Sequence, residues 1–228
     1  MNPLKALFEK QGQSVWLDFI ERGMLADGGL ARFVEEDGIR GVTSNPSIFN
    51  KAITGGDRYD RAIAAALGED PALPAEALFW RLAVEDIRRA ADILRPVYDA
   101  SGGGDGYVSL EVAPGLAHDT AGTVAEARRL WARVDRPNLM IKVPATDEGI
   151  PAMEELIAAG INVNATLMFS MRHYENVAHA YIRGVARCER PERVASVASF
   201  FVSRVDTAVD RRLEAIGTPE ALRLRGTV

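Results

Sequence analysis

Short apolar runs alternate with longer amphipathic segments along the chain. SVWLDF (14–19), GVTSN (41–45), YVSLEV (107–112), LMIKVP (139–144), INVNATLMF (161–169) and VASVASFFVS (194–203) have the length and residue types of strands. Between them, AEALFWRLAVEDIRRAADILRPVY (75–98), TAGTVAEARRLWARV (120–134) and MRHYENVAHAYIRGVARC (171–188) repeat apolar residues three and four apart, which is helical spacing. Strands alternating with helices predict an α/β fold with a parallel sheet, either doubly wound or a (β/α)8 barrel. From about Thr207 onward the pattern is helix, turn and the start of another helix, so only about six of the eight strands of a barrel are expected. SGGGDG (101–106) is too short for a domain linker. Residues 1–228 are therefore expected to form a single barrel domain, cut short before strands seven and eight.

Strand parity separates the two architectures, because successive residues face opposite sides of a sheet. In the third run Val108, Leu110 and Val112 oppose Ser109 and Glu111. In the fifth, Val163, Ala165, Leu167 and Phe169 oppose Asn162, Asn164, Thr166 and Met168. The first places Val15, Leu17 and Phe19 opposite Trp16 and Asp18, and the second places Val42 and Ser44 opposite Gly41, Thr43 and Asn45. Lys142 shares its face with Met140 and Pro144. A doubly wound sheet packs both faces under helices and needs both apolar. A barrel has an interior that can hold polar groups near its C-terminal rim, so the pattern predicts a TIM barrel. There is no GxGxxG after the first run and no GxxxxGK[ST] anywhere, which removes the common nucleotide-binding motifs.

The inward set is Asp18, Thr43, Asn45, Glu111, Lys142, Asn164 and Thr166. A stabilising ion-pair network would account for Asp18, Glu111 and Lys142 alone. It would not call for the accompanying amides and hydroxyls, which suit the hydroxyls of a sugar. A desolvated lysine amine can attack a carbonyl and form a Schiff base, whose protonated imine is an electron sink for breaking an adjacent carbon–carbon bond. Carboxylates on separate strands, Asp18 and Glu111, suit the proton transfers this requires. Metal-dependent aldol chemistry has little support, since His173 and His179 are six apart on a helical pattern and His118 is in a loop.

Composition narrows the setting. The chain is 47% hydrophobic and 26% charged, which fits a globular protein. Its net charge of −5 argues against a dedicated nucleic-acid binder. Cys188 is the single cysteine, so no internal disulfide forms and a reducing cytoplasm fits best. MNPLKALFEKQGQS lacks an apolar core of signal-peptide length, and no apolar run approaches the ~18 residues of a membrane span.

GIRGVTSNPSIF (38–49) and IKVPATDEGIPAMEEL (141–156) resemble the two signatures of the transaldolase family. WLDF (16–19), SLEV (109–112) and NVNATLMFS (162–170) follow the family pattern in order, and the resemblance runs from about residue 14 to 206. It is nearest to the longer bacterial type, which also occurs fused to a sugar-phosphate isomerase. The resemblance implies that Lys142 forms the Schiff base and that Asp18 takes the donor's C4 hydroxyl proton. It also implies that Glu111 and Thr166 hold a proton-relaying water, and that Asn45 and Asn164 grip the dihydroxyacetone portion beside Thr43 and Ser44. Ser199 and Arg204 resemble phosphate-binding residues, and Phe201 a wall of the site. Phe200 and Ser203 stand where the family usually has proline and glycine, and Arg204, of opposite parity to Ser199, is expected to act from beyond the strand end.

The implied reaction moves a dihydroxyacetone unit from fructose 6-phosphate or sedoheptulose 7-phosphate to an aldose phosphate, in the non-oxidative pentose phosphate pathway. No organic cofactor or metal, no nucleic acid and no membrane partner is implied; a homodimer and a fusion to an isomerase domain are both left open. Two alternatives stay open: a fructose 6-phosphate aldolase, against which the long segment 75–98 argues, and an inactive truncated fragment.

Overall fold

The computed structural model describes residues 2–227. In chain order the elements are α1 (Pro3–Gln11), β1 (Val15–Leu17), α2 (Arg22–Ala26), α3 (Gly29–Arg32) with a π-helical turn at Phe33–Asp37, β2 (Ile39–Val42) and α4 (Pro46–Thr54). There follow α5 (Asp60–Glu69), α6 (Ala75–Ala100), β3 (Val108–Glu111), α7 (Thr120–Val134), β4 (Leu139–Pro144) and α8 (Gly149–Ala158). The described chain closes with β5 (Val163–Met168), α9 (Met171–Arg187), β6 (Ser196–Phe200), α10 (Val202–Ile216) and α11 (Pro219–Leu222). The six strands pair in parallel, in the order β1-β2-β3-β4-β5-β6, with β1 and β6 at the edges. A doubly wound sheet reverses its strand order partway; unbroken sequential order is that of a (β/α)8 barrel, here as an open sheet of six strands.

Local chemistry sets several boundaries. The Asn45 side chain accepts the Ile48 N–H at 2.9 Å, and Pro46 begins α4 where its missing N–H costs nothing. Asp119 caps α7 and Ser170 caps α9 in the same way. β4 is buried at every position, as a central strand should be. The apolar core lies between the sheet and its helices, where Val108, Leu110, Ile141, Val143, Val163 and Ala165 meet Ile87, Leu94, Leu130, Met153 and Leu156.

At the N-terminal ends of the strands two buried asparagines act as staples. Asn138, just before β4, donates to the carbonyls of Ala91 and Gly106, both at 2.9 Å. Asn162, just before β5, donates to Pro137 and Leu139 and accepts the Ala195 N–H at 2.9 Å. Parity grouped Asn162 with the inward set, but these bonds commit it to the opposite end of the sheet.

A second buried network joins α2 to α6. The Arg22 guanidinium donates to Asp86 at 2.8 Å and to Glu85 at 3.0 Å, and the Tyr59 hydroxyl donates to the other Asp86 oxygen at 2.8 Å. Asp86 and Tyr59 are fully buried, so the network anchors the connection leaving β1, which carries Asp18, onto the longest helix. Asp86→Ala would strand a buried guanidinium, and a loss of about 3–5 kcal/mol is expected in urea unfolding; a loss under about 1 kcal/mol would show the network to be peripheral.

Candidate active site

Register places the chemistry. Glu111 pairs with Lys142 across β3 and β4, and Lys142 pairs with Asn164 across β4 and β5. Paired residues of parallel strands share a face, so these three side chains stand in a row on the face away from the packed helices. Thr166 follows beside Pro144. At the C-terminal ends of these strands is a cavity of about 280 Å³, lined by Asn45, Glu111, Lys142, Thr166, Phe201 and Arg204 among others.

Lys142 is only 5% exposed. Its Nζ donates to the Ser44 carbonyl at 3.4 Å and stands 3.7 Å from Glu111, an ion pair rather than a close hydrogen bond. The rest of the site is a continuous chain of polar contacts. Ser199 Oγ donates to Asn164 Oδ1 at 2.8 Å, and Asn164 Nδ2 donates to Ser109 Oγ at 2.9 Å. Ser44 Oγ in turn donates to the Ser109 carbonyl at 2.7 Å. Three strands, β3, β5 and β6, and the loop after β2 are thereby locked around the amine. The hydroxyls of Thr43 and Thr166 are buried without a hydrogen-bond partner in the protein.

Burial pushes the Glu111 carboxyl above the usual carboxylate range; the nearby Lys142 charge pulls it down without cancelling the effect, and the Asp18 charge pushes it further up.

Several expected residues sit differently from their parity. β2 ends at Val42, so Thr43, Ser44 and Asn45 lie in the connection to α4. Ser44 reaches the site through its carbonyl, and the Asn45 oxygen is spent on the helix cap, leaving its amide nitrogen for the cavity. Asp18 lies just past β1, is exposed and stands outside the cavity lining, because the edge strand β1 stops at Leu17. The sixth strand was expected to reach residue 203 but ends at Phe200, and helix begins at Val202. Arg204 therefore lies in the first turn of α10, beyond the strand end as expected, with its guanidinium carbon 4.5 Å from the centroid of the Phe201 ring.

The largest correction falls on β5. Ala165 pairs with Ala198 but Met168 pairs with Phe200, so Thr166 and Leu167 together oppose Ser199 in a bulge. Leu167 has φ 61°, a left-handed conformation costing an ordinary residue about 1–2 kcal/mol. Parity inverts there. Met168, expected inward, is fully buried in the apolar core, while Leu167, expected outward, lines the cavity. Ser109 is the site residue that sequence reasoning passed over; its position two before Glu111, on the same face, was the available signal.

A parallel, sequentially ordered sheet with a buried lysine, a carboxyl and amides at its C-terminal ends defines a barrel-type protein with a polar cavity at the rim where barrels carry their sites. Residues 15–226 match the family model described as "Transaldolase/Fructose-6-phosphate aldolase". The chain is 52% identical over 219 residues to "Transaldolase" of Thiobacillus denitrificans, covering 94% of this chain and 60% of that one. It is 51% identical over 231 residues to "Transaldolase" of Thermobifida fusca, covering 99% and 61%. With "Transaldolase 2" of Streptomyces avermitilis the identity is 48% over 221 residues, covering 95% and 59%. The chain belongs to the transaldolase/fructose-6-phosphate aldolase family. It spans about 60% of the length of these relatives.

The raised Glu111 carboxyl has a consequence for stability. The folded chain binds this proton more tightly than the unfolded chain, so the contribution is fully present below the ordinary carboxylate range and is lost as pH rises through the raised value. Glu111→Gln carries no such term. Its melting temperature should therefore rise relative to that of the wild type as pH rises above the ordinary carboxylate range; a fall relative to the wild type over that rise in pH would reverse the assignment.

Proposed function

We propose that the chain carries a transaldolase site acting on sugar phosphates through a Schiff base on Lys142. The observation that carries this reading is the buried amine of Lys142, in register with Glu111 and Asn164 and facing a cavity bounded by Arg204. The Nζ attacks the C2 carbonyl of a ketose phosphate, and loss of water gives the protonated imine. Proton removal from the C4 hydroxyl then breaks the C3–C4 bond, releases an aldose phosphate and leaves a dihydroxyacetone enamine on Lys142, which adds to the carbonyl of a second aldose phosphate. Hydrolysis of the new imine frees the product and restores the amine.

Glu111 suits proton transfer at the imine, because burial lets it hold a proton that it can pass to or take from a water placed with the Thr166 hydroxyl. Asn164 keeps one N–H beyond its bond to Ser109, and Asn45 keeps its amide nitrogen; both suit the hydroxyls of the three-carbon unit. Thr43 offers a further unpaired hydroxyl. Ser199 holds Asn164, and Arg204 with Phe201 closes the side where a phosphate would lie. Asp18 receives the C4 proton on the strength of the family resemblance, and its exposed place past β1 requires a movement of that connection toward the cavity. Among the described residues no helix is long and apolar enough to cross a membrane. A cytoplasmic setting fits the single cysteine, and either a homodimer or a fusion to an isomerase domain would fit the resemblance.

The family description covers both a transferase and an aldolase, and the relatives at 48–52% identity carry the first name, which favours transfer. Borohydride reduction in the presence of fructose 6-phosphate should fix a sugar adduct on the Lys142 peptide, detected by mass spectrometry, and Lys142→Met should abolish it. A folded wild-type chain that forms no adduct would remove the Schiff-base reading. With erythrose 4-phosphate also present, sedoheptulose 7-phosphate is the expected product; accumulation of free dihydroxyacetone alone would mark an aldolase.

A further inference from the structure

The bulge in β5 does more than invert a parity. Beyond Leu167 it carries the chain to Phe169, which is 42% exposed and whose ring stacks on Phe201 with centroids 5.3 Å apart and planes 23° from parallel. The turn is held in place by the backbone, since the Phe201 N–H donates to the Met168 carbonyl at 3.0 Å. Phe201 in turn carries the Arg204 guanidinium against its ring. Arg204 borders the catalytic cavity on one side and a second hollow of about 380 Å³, which Phe169 also lines, on the other.

Arg204 makes no hydrogen bond or ion pair with any acidic side chain among the described residues, and is at least a third exposed. A long, exposed guanidinium with no acceptor samples many rotamers, and ordering it costs on the order of a factor of ten in binding. Stacking on an aromatic face is the remaining restraint, and it is only as firm as the ring it rests on. Phe201 is the first residue after β6 and would swing about its own side-chain bonds without a second ring packed on it.

We propose that Phe169 is a positioning residue for the anionic end of the substrate: it clamps Phe201 and through it fixes the Arg204 guanidinium at the cavity. The left-handed backbone at Leu167 is what delivers Phe169 to that place. The proposal rests on the Schiff-base reading above and assigns the phosphate to Arg204. Phe169 touches neither the amine nor the carbonyl, so its loss should weaken capture of phosphorylated ketoses and leave the amine chemistry alone.

Borohydride trapping on Lys142, followed as a function of ketose concentration, separates the two readings. Fructose 6-phosphate and unphosphorylated dihydroxyacetone serve as paired probes. In Phe169→Ala the half-saturating concentration for fructose 6-phosphate should rise about tenfold while that for dihydroxyacetone is unchanged. Phe169→Tyr, which keeps the ring, should restore the wild-type value for fructose 6-phosphate. Equal values for both probes in wild type and Phe169→Ala, or an equal rise for both, overturns the positioning role and leaves the Schiff base standing. Absence of an adduct from either probe in the wild type overturns both readings.

Discussion

A lysine amine buried inside a sheet is the constraint around which the rest is arranged. β4 is buried along its whole length, so its lysine meets solvent only through the cavity at the strand ends and its protein partners come from neighbouring elements. The partners lie at 3.4 Å and 3.7 Å, near enough to limit the cost of burial and far enough that the amine is not gripped by one strong bond. Position on three strands is thus set by one requirement: Glu111 and Asn164 must flank Lys142 in register, and parallel pairing provides that directly.

Order around the amine is maintained by groups that do not carry charge. The run from Ser199 through Asn164 to Ser109 and Ser44 uses neutral donors and acceptors, each satisfied by the next. Such a chain fixes side-chain orientation without adding further ionic desolvation cost to that of Lys142 and Glu111. It also explains why the site extends from the loop after β2 to β6. The amine is held at the centre of a surface rather than at the end of one strand.

Much of this was legible in the sequence, for a physical reason. Regular strands alternate faces with period two, so Glu111, Lys142, Asn164 and Thr166 could be assigned to one face before any coordinates. The alternation failed at Leu167, where a left-handed residue inserts one extra position; leucine is not a residue that announces such a conformation. Strand ends were the other weak point. Phe201 and Val202 continue the apolar run of β6, yet hydrogen bonding turns helical at Val202. Asn162 and Asn164 look equivalent in sequence and do opposite jobs, because only the depth along the barrel axis distinguishes them. Ser109 shared the face of Glu111 in the sequence pattern, but its role in holding Asn164 shows only once the distance between them is known.

The asparagine staples before β4 and β5 have a consequence for change over time. They bind each strand start to its neighbours through main-chain carbonyls, which every residue type provides, so the surrounding sequence is free to drift without loosening the sheet. The opposite rim carries the chemistry and takes no part in that fastening. A lineage could therefore rebuild its rim loops for a different ligand while inheriting the fastened end unaltered, and the two asparagines would be the last residues to reveal that anything had changed.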